Sequence, residues 1–496
     1  MRGIFRVVSI AVIGVAGSGN AQTLTPVSGS ESARFVKPTD MERTSTFNFA
    51  SQALKQTRPV LIGLPKSFAK TQRTYPVLIV LDGEAQFPIA VTVAAQLAAL
   101  GHMPESIVVG IPNLDEYNGR VHDMTPPGLS VSGSSKSEGG EQFLDFIEKE
   151  LMPALAKQFR ANGMMILEGH SSGGVIATYA AATRPAFRFI IALDFPAHLD
   201  NNWMPARMME RAERGDRSPL RYVSLESRFG WNDSTWARFK RMAPPSWQVT
   251  RAKLDHESHV SMPFVGLYIG LRTLFEDYQV SSAPQSPTTR TLAHYKEMAK
   301  SWGAPVIPPP GLIRQVIEDL EIEGQANPAA DAYQLLVTGY GAPADSLELQ
   351  SRLATLAKLP PLAETVEVLL ATAPPKASGA THLLGEWRGA EWINEEDKHV
   401  IALRLRDSAG VIVGEWLSYP EPAVELVQKL TYIKVVPNGF DFGFMNGMRP
   451  RGMLIHEGRF QGDMLKGTMR FGGVHLVRPR GMPGPPTVSF ELQRVK

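Results

Sequence analysis

Met164-Met165-Ile166-Leu167-Glu168-Gly169-His170-Ser171-Ser172-Gly173-Gly174-Val175-Ile176-Ala177 reads as a short buried strand, a glycine-framed turn and the start of a helix whose apolar pattern continues to Ala182. A serine between strand and helix, with glycine two residues before it and two after it, has the form of a nucleophile elbow. Gly169 and Gly173 are the small residues that a strained turn requires, and Gly174 adds room. Such a turn lifts the Ser171 hydroxyl clear of the sheet. The N–H of Ser172 and the positive end of the new helix then face the charge that forms during acyl transfer. The stretch predicts Ser171 as a nucleophile; the competing reading is a structural glycine-rich turn.

Working outward, apolar runs at 59–64, 76–81, 106–111, 164–167, 189–193 and 220–225 read as strands, alternating with helical patterns between about residues 45 and 280. Their continuous apolar character implies burial on both faces, as in a mostly parallel sheet wrapped by helices. Residues 143–151 form one covering helix with a single apolar stripe.

Ser281-Ser282-Ala283-Pro284-Gln285-Ser286-Pro287 is a linker by composition. Helical patterns follow at 312–323, 331–337, 346–359 and 362–371, separated by Pro-rich breaks and without a clean repeat period. Beyond the break at 373–379 the pattern turns to short alternating strands, at 400–406, 411–416, 430–436, 440–445, 459–461, 466–471 and 488–492. Turn residues between them predict a small antiparallel barrel or sandwich. The expected division is a signal peptide over 1–21, a catalytic domain over 45–280, a linker and helical region over 281–375, and an accessory β domain over 383–496. A chain of 496 residues is in any case too long for one ordinary core.

Arg2 and Arg6 precede an apolar run over 7–16, and Gly19-Asn20-Ala21 offers small residues for cleavage, which predicts export to the periplasm or beyond the cell. That run is too short to span a bilayer, and no other segment approaches the roughly 18 apolar residues required. Cysteine is absent, which excludes disulfides, thiolate catalysis and Cys-ligated metal. Without Arg2 and Arg6 the basic residues equal the 49 acidic ones. A neutral chain offers no electrostatic reason to bind nucleic acid or an anionic membrane.

A serine nucleophile needs a base, which follows it in the sequence of an elbow-type hydrolase. The segment Leu254-Asp255-His256-Glu257-Ser258-His259 supplies His259, with His256 as the alternative. A metal pair at His256-x-x-His259 is disfavoured because it lies on a loop without a nearby carboxylate pattern, and no metal or cofactor is expected. His170 reads as structural, facing away from the nucleophile. For the acid, Glu226 is the first carboxylate after the strand at 220–225, with Asp233 as the alternative and Asp194, after the preceding strand, third. The oxyanion donors are the N–H of Ser172 and one from Gly83 or Glu84 in Leu81-Asp82-Gly83-Glu84, where a glycine lets backbone approach substrate closely. Asp82 reads as a brace for that loop.

Tyr75-Pro76-Val77-Leu78 through Leu81-Asp82-Gly83, Met103 through Asn113, Asp123-Met124-Thr125-Pro126-Pro127, Gly169 through Gly174, and Glu257-Ser258-His259 with Gly270-Leu271-Arg272 together resemble the putative esterase family of α/β-hydrolases, including esterase D-like and ferric-enterobactin esterase-like enzymes. The resemblance covers about residues 45–280 and implies serine esterase chemistry through Ser171 and His259. It departs at Arg120-Val121-His122-Asp123, where the family often carries Arg-x-Arg-Asp, and at the acid position. Gly385-Glu386-Trp387-Arg388-Gly389 opens a C-terminal unit that weakly resembles lipocalin-like barrels. The expected fold class is therefore an α/β-hydrolase fold followed by a helical region and a small antiparallel β-barrel or sandwich. The expected function is an exported serine esterase acting on a small-molecule or glycoconjugate ester. The alternatives are an inactive hydrolase-fold binding protein and an acyltransferase.

Overall fold

The computed structural model describes residues 24–26, 43–114, 118–130, 139–279, 288–358, 366–392, 398–421, 424–445, 452–472 and 488–495. The expected signal segment and the linker at 281–287 lie outside the described residues. Two compact units divide the chain: residues up to 66, 74–276 and 301–305 form one, and residues 67–73, 277–300 and 306 onward form the other.

The first unit is built on a nine-stranded sheet of β1 (Leu24–Pro26), β2 (Thr44–Ser51), β3 (Gln56–Gly63), β4 (Tyr75–Val80), β5 (Ile107–Gly110), β6 (Ala161–His170), β7 (Phe189–Leu193), β8 (Leu220–Glu226) and β9 (Trp247–Lys253). Their order is β1-β2-β3-β5-β4-β6-β7-β8-β9. β1, β2 and β3 run antiparallel, β3 meets β5 antiparallel, and the rest are parallel. β4, β7 and β8 are buried at every position, which is why they read as unbroken apolar runs. β9 was not among the expected strands. As the edge strand it carries Gln248, Thr250, Arg251 and Lys253 with only Trp247 buried, so its sequence lacks the apolar run that marks its neighbours.

From β4 the chain crosses to β5 on one side, then returns to place β6 on the other side and continues outward. The order of connections therefore reverses at β4, and open parallel sheets bind ligands beyond the strand ends at such a reversal. The helices Gly83–Ala99 and Ser172–Thr183 both start there, at the ends of β4 and β6. This is the α/β-hydrolase arrangement expected from the sequence.

The second unit contains the helices Pro310–Ile322, Ala326–Tyr340 and Ser346–Leu356. Ile313, Val316, Ile317 and Leu320 form one helical stripe packed with Tyr333, Leu336, Leu349 and Leu353. A further helix, Thr288–Trp302, starts directly after the expected linker at 281–287 and precedes the first expected helical pattern. The remaining chain forms β10 (Gly385–Trp392), β11 (Lys398–Ser408), β12 (Val411–Glu421), β13 (Val424–Lys429), β14 (Tyr432–Val436), β15 (Gly439–Met445), β16 (Met453–Gln461), β17 (Met464–Gly472) and β18 (Val488–Arg494). They make one antiparallel sheet ordered β13-β12-β11-β10-β18-β17-β16-β15-β14. Residues from strands across the sheet, among them Trp387, Leu403, Trp416, Phe442, Leu465 and Phe490, share one core. A single sheet can converge on itself in this way only if it curls, so the unit is a half-barrel.

Two features of the first unit were not legible in the sequence. Trp302, 1% exposed, packs its ring against Phe275 at 5.4 Å and Phe189 at 5.9 Å between centroids. The Arg221 guanidinium lies 5.1 Å from the Trp302 ring, and Arg188 donates to the Trp302 carbonyl at 2.6 Å. A catalytic domain ending at residue 280 omits this anchor. Glu168, near the end of β6, is 1% exposed, and neither carboxyl oxygen has a hydrogen-bond partner among the described residues. Burial, and secondarily the charge of Asp82, raise its pKa well above the ordinary value.

Trp302→Ala should lower the unfolding free energy by roughly 3–5 kcal/mol, measured by urea denaturation; a loss below about 1 kcal/mol would show that residues 301–305 are dispensable. Glu168 keeps its proton in the fold and releases it on unfolding, so its contribution is complete at low pH and lost as pH rises above the unfolded value of about 4.3. Glu168→Gln should therefore gain in melting temperature relative to wild type as pH goes from 4.5 to 8. A constant difference across that range would show that Glu168 ionises as easily in the fold as in water.

Candidate active site

Three non-glycine residues with positive φ stand at the ends of three neighbouring strands: Asp82 after β4 at 50°, Ser171 after β6 at 58° and Asp194 after β7 at 44°. Such conformations cost roughly 1–3 kcal/mol each and persist only where the surroundings enforce them. Here main-chain bonds carry the enforcement past the strands. Leu81 N–H donates to Glu168 O at 3.2 Å, Ser171 N–H to Leu193 O at 2.9 Å and Asp194 N–H to Leu225 O at 2.7 Å.

The glycines around Ser171 are not equivalent. A Cβ on Gly169 would lie 2.2 Å from Gly173 O, and one on Gly174 would lie 2.7 Å from Phe195 Cβ. A Cβ on Gly173 would meet Leu81 at 3.5 Å, an ordinary contact. Gly169 and Gly174, rather than Gly169 and Gly173, are the positions where the turn excludes a side chain.

His259 Nδ1 lies 2.6 Å from Asp194 Oδ2. Asp194 is fully buried, and its Oδ1 accepts the N–H groups of Ser227 at 2.7 Å, Arg228 at 2.9 Å and Phe229 at 2.8 Å. Ser227 Oγ donates to Oδ2 at 3.0 Å. Burial pushes the Asp194 carboxyl up, but the bonds from His259, Ser227 and Phe229 outweigh it and hold the pKa below its ordinary value. Asp194 thus stays ionised while orienting the imidazole. The Phe229 ring stands edge-on to His259 at 5.1 Å. The loop carrying His259 is tied by Ser258 N–H donating to Ser261 Oγ at 2.9 Å and by Ser261 Oγ donating to Glu257 at 2.7 Å. His256 is exposed on the preceding turn.

Glu226 and Asp233 are not at the imidazole. Glu226 Oε1 accepts the Trp231 N–H at 2.8 Å, and its Oε2 accepts Arg251 Nε at 2.8 Å. Burial raises its pKa despite these bonds. Asp233 is exposed at the start of the helix Asp233–Met242 and pairs with Arg251 at 2.7 Å. The carboxylate that meets His259 is Asp194, because β7 lies directly beside β6 while β8 is one strand further out. Asp194 follows its strand just as Glu226 follows the next, so chain order alone does not separate them.

The Gly83 N–H donates to Ile111 O at 3.0 Å, which removes it as an oxyanion donor. A Cβ there would lie 2.6–2.8 Å from the backbone of Gly110 and Ile111. The glycine serves the packing of the loop against the end of β5, not the approach of substrate. Glu84, the other expected position, and Ser172 each lie at a helix start, where N–H groups lack an intrahelical acceptor. Asp82 accepts Arg120 Nε at 2.6 Å, Arg120 NH2 at 2.9 Å and Asn113 Nδ2 at 2.8 Å. The same NH2 donates to His170 O at 3.1 Å. Arg120 thereby locks the loop after β4 to the elbow.

His170 does not face away from the site. Its ring packs on that of His259 with centroids 4.4 Å apart. Burial first, and the neighbouring His259 second, push its pKa down to about 4.

Residues 51–263 match the family described as Putative esterase. A stretch of 118 residues is 33% identical to a siderophore triacetylfusarinine C esterase of Aspergillus fumigatus, covering 22% of this chain and 40% of that protein. The chain thus spans about two-fifths of the length of this curated relative. Among solved structures, an IroE-like serine hydrolase from Shewanella oneidensis is 28% identical with a TM-score of 0.49, covering 63% of this chain and 99% of its own. Siderophore hydrolase EstB from Aspergillus nidulans is 20% identical with a TM-score of 0.41, covering 49% and 98%.

Proposed function

We propose that the first unit is a serine carboxylic ester hydrolase in which Ser171 is the nucleophile, His259 the base and Asp194 the orienting acid. The observation that carries the reading is the 2.6 Å bond between His259 Nδ1 and the buried Asp194, beside a serine held at positive φ on a strand-to-helix turn. Ser171 Oγ attacks the ester carbonyl carbon while His259 Nε2 takes its proton. Asp194 stabilises the resulting imidazolium through Nδ1–H without itself taking the proton. The N–H groups of Ser172 and Glu84 hold the oxyanion. Collapse of the tetrahedral intermediate breaks the ester C–O bond, and the imidazolium returns the proton to the leaving alkoxide. Water, activated by the same imidazole, then releases the acid and frees Ser171.

The substrate class is a small-molecule or glycoconjugate ester. The curated relative's name directs the first trial to a siderophore ester. Export follows from Arg2, Arg6 and the apolar run after them, and no described helix is long and apolar enough to cross a membrane. The half-barrel is an accessory to the hydrolase unit.

With a p-nitrophenyl ester, Ser171→Ala should lower kcat by on the order of 10⁶ and abolish labelling by a fluorophosphonate. Retained turnover or labelling would remove Ser171 as the nucleophile. Asp194→Asn should lower kcat by about 10⁴, whereas Glu226→Gln should keep kcat within about tenfold and chiefly reduce the melting temperature, since its carboxylate ties Trp231 to Arg251. The reverse pattern would restore Glu226 as the acid.

A further inference from the structure

His170 and His259 stand ring against ring beside the elbow, with centroids 4.4 Å apart and planes inclined at 43°. One donor atom from each, together with a carboxylate oxygen of Asp194, falls within a 4.8 Å circle of mutual distances. Asp194 is already occupied by Ser227, Arg228, Phe229 and His259, so it is not the inner ligand. Its bond to His259 Nδ1 instead reproduces the carboxylate–histidine arrangement that stands behind metal-bound imidazoles, where it fixes the tautomer and directs the other nitrogen's lone pair outward. The second imidazole is also available. His170 Nε2 is buried and has no hydrogen-bond partner among the described residues, a costly state for a polar atom unless something completes it.

We propose that His170 and His259 form a chelating pair for a borderline divalent cation of the Zn²⁺ class, and that the bound cation shuts the hydrolase by taking the His259 lone pair that would accept the Ser171 proton. The inhibitory step rests on the esterase reading above; the chelation does not. Two imidazole nitrogens on a tetrahedral cation at 2.0–2.1 Å bonds sit about 3.3 Å apart, and one donor atom of each ring already lies within 4.8 Å of the other. The remaining positions fall to solvent. Imidazole pairs select Zn²⁺, Cu²⁺ and Ni²⁺, whereas Mg²⁺ and Ca²⁺ require oxygen ligands. The cation is an inhibitor here, not a cofactor, because the hydrolytic steps leave it no role. The rival pair is His256 with His259, but His256 is exposed on the preceding turn, and no donor cluster containing it is found among the described residues.

The experiment uses the full chain with Zn²⁺ and Mg²⁺ against p-nitrophenyl acetate hydrolysis, and Cu²⁺ electron paramagnetic resonance on the Ser171→Ala protein, which needs no turnover. Zn²⁺ should inhibit and Mg²⁺ should not. His170→Gln should raise the Zn²⁺ concentration for half-inhibition by at least about tenfold, and His256→Gln should leave it unchanged. The Cu²⁺ spectrum should show two coupled imidazole nitrogens, falling to one when His170→Gln is added; His170→Asn provides the same loss should the glutamine variant fold poorly. Equal Zn²⁺ sensitivity or an unchanged nitrogen count without His170 would overturn the chelation, and release by His256→Gln would transfer it to the rival pair. Persistent hydrolysis by Ser171→Ala would instead strike the esterase reading, and the resonance result would still decide the chelation.

Discussion

Backbone strain shared between neighbouring strand ends holds this site together. Asp82, Ser171 and Asp194 each adopt positive φ at the ends of β4, β6 and β7, and each turn depends on the next strand. Ser171 N–H reaches across to Leu193 O, and Asp194 N–H reaches across to Leu225 O. No single turn is stable by itself, because the conformations are unfavourable for side chains with a Cβ. The parallel ladder extends one residue beyond its regular end and fixes Ser171 and Asp194 at the ends of adjacent strands. This geometry also explains the glycine requirement: with Ser171 turned back, the Gly169 α-carbon comes against Gly173 O and leaves no room for a methyl.

The elbow was legible because everything that defines it is local in sequence: an apolar strand, small residues at fixed offsets and an alanine-rich helix. The carboxylate that meets His259 was not, because its identity depends on which strand lies beside β6. Leu193-Asp194 and Leu225-Glu226 present the same sign, a carboxylate directly after a buried strand, and only the order β6-β7-β8 separates them. A similar non-local fact decided Gly83. A glycine after a strand suggests close approach by a ligand, but the neighbour it admits is the backbone at Gly110 and Ile111. Edge strand β9 and the Trp302 anchor escaped for related reasons, the first because half its surface is polar and the second because it returns to the sheet from beyond the expected domain end. The half-barrel was partly legible, since alternation marks strands well, whereas curling follows from how their inward faces meet.

Two carboxyl groups near the elbow show how environment assigns charge. Asp82 receives a forked pair of bonds from Arg120 and one from Asn113. Among the described residues Glu168 has no hydrogen-bond partner, and the charge on Asp82 adds to the cost of ionising it. Asp82 therefore braces its loop through these bonds, and Glu168 is a neutral filler of the sheet. Arg120 gains further consequence from its third bond, to the carbonyl of His170. That contact places the loop bearing the Glu84 N–H and the turn bearing the Ser172 N–H under one guanidinium, so two donors from distant parts of the chain keep a fixed separation.

The arrangement around His259 follows from the same economy of positions. Asp194 uses one oxygen on three backbone N–H groups and the other on Ser227 and the imidazole, which leaves it no freedom to rotate and the imidazole little. A rigid base is an advantage for proton transfer, because the cost of orienting it is met during folding rather than during reaction. Rigidity carries a chemical corollary. An imidazole whose Nδ1–H is pinned to a carboxylate presents a well-aimed Nε2, and under the proposals above that nitrogen meets either a serine proton or a borderline metal ion. With a second imidazole packed 4.4 Å away, the features that suit His259 to the proposed role of base also suit it to the proposed role of ligand. Any substitution that loosens the Asp194 cradle must weaken both properties together.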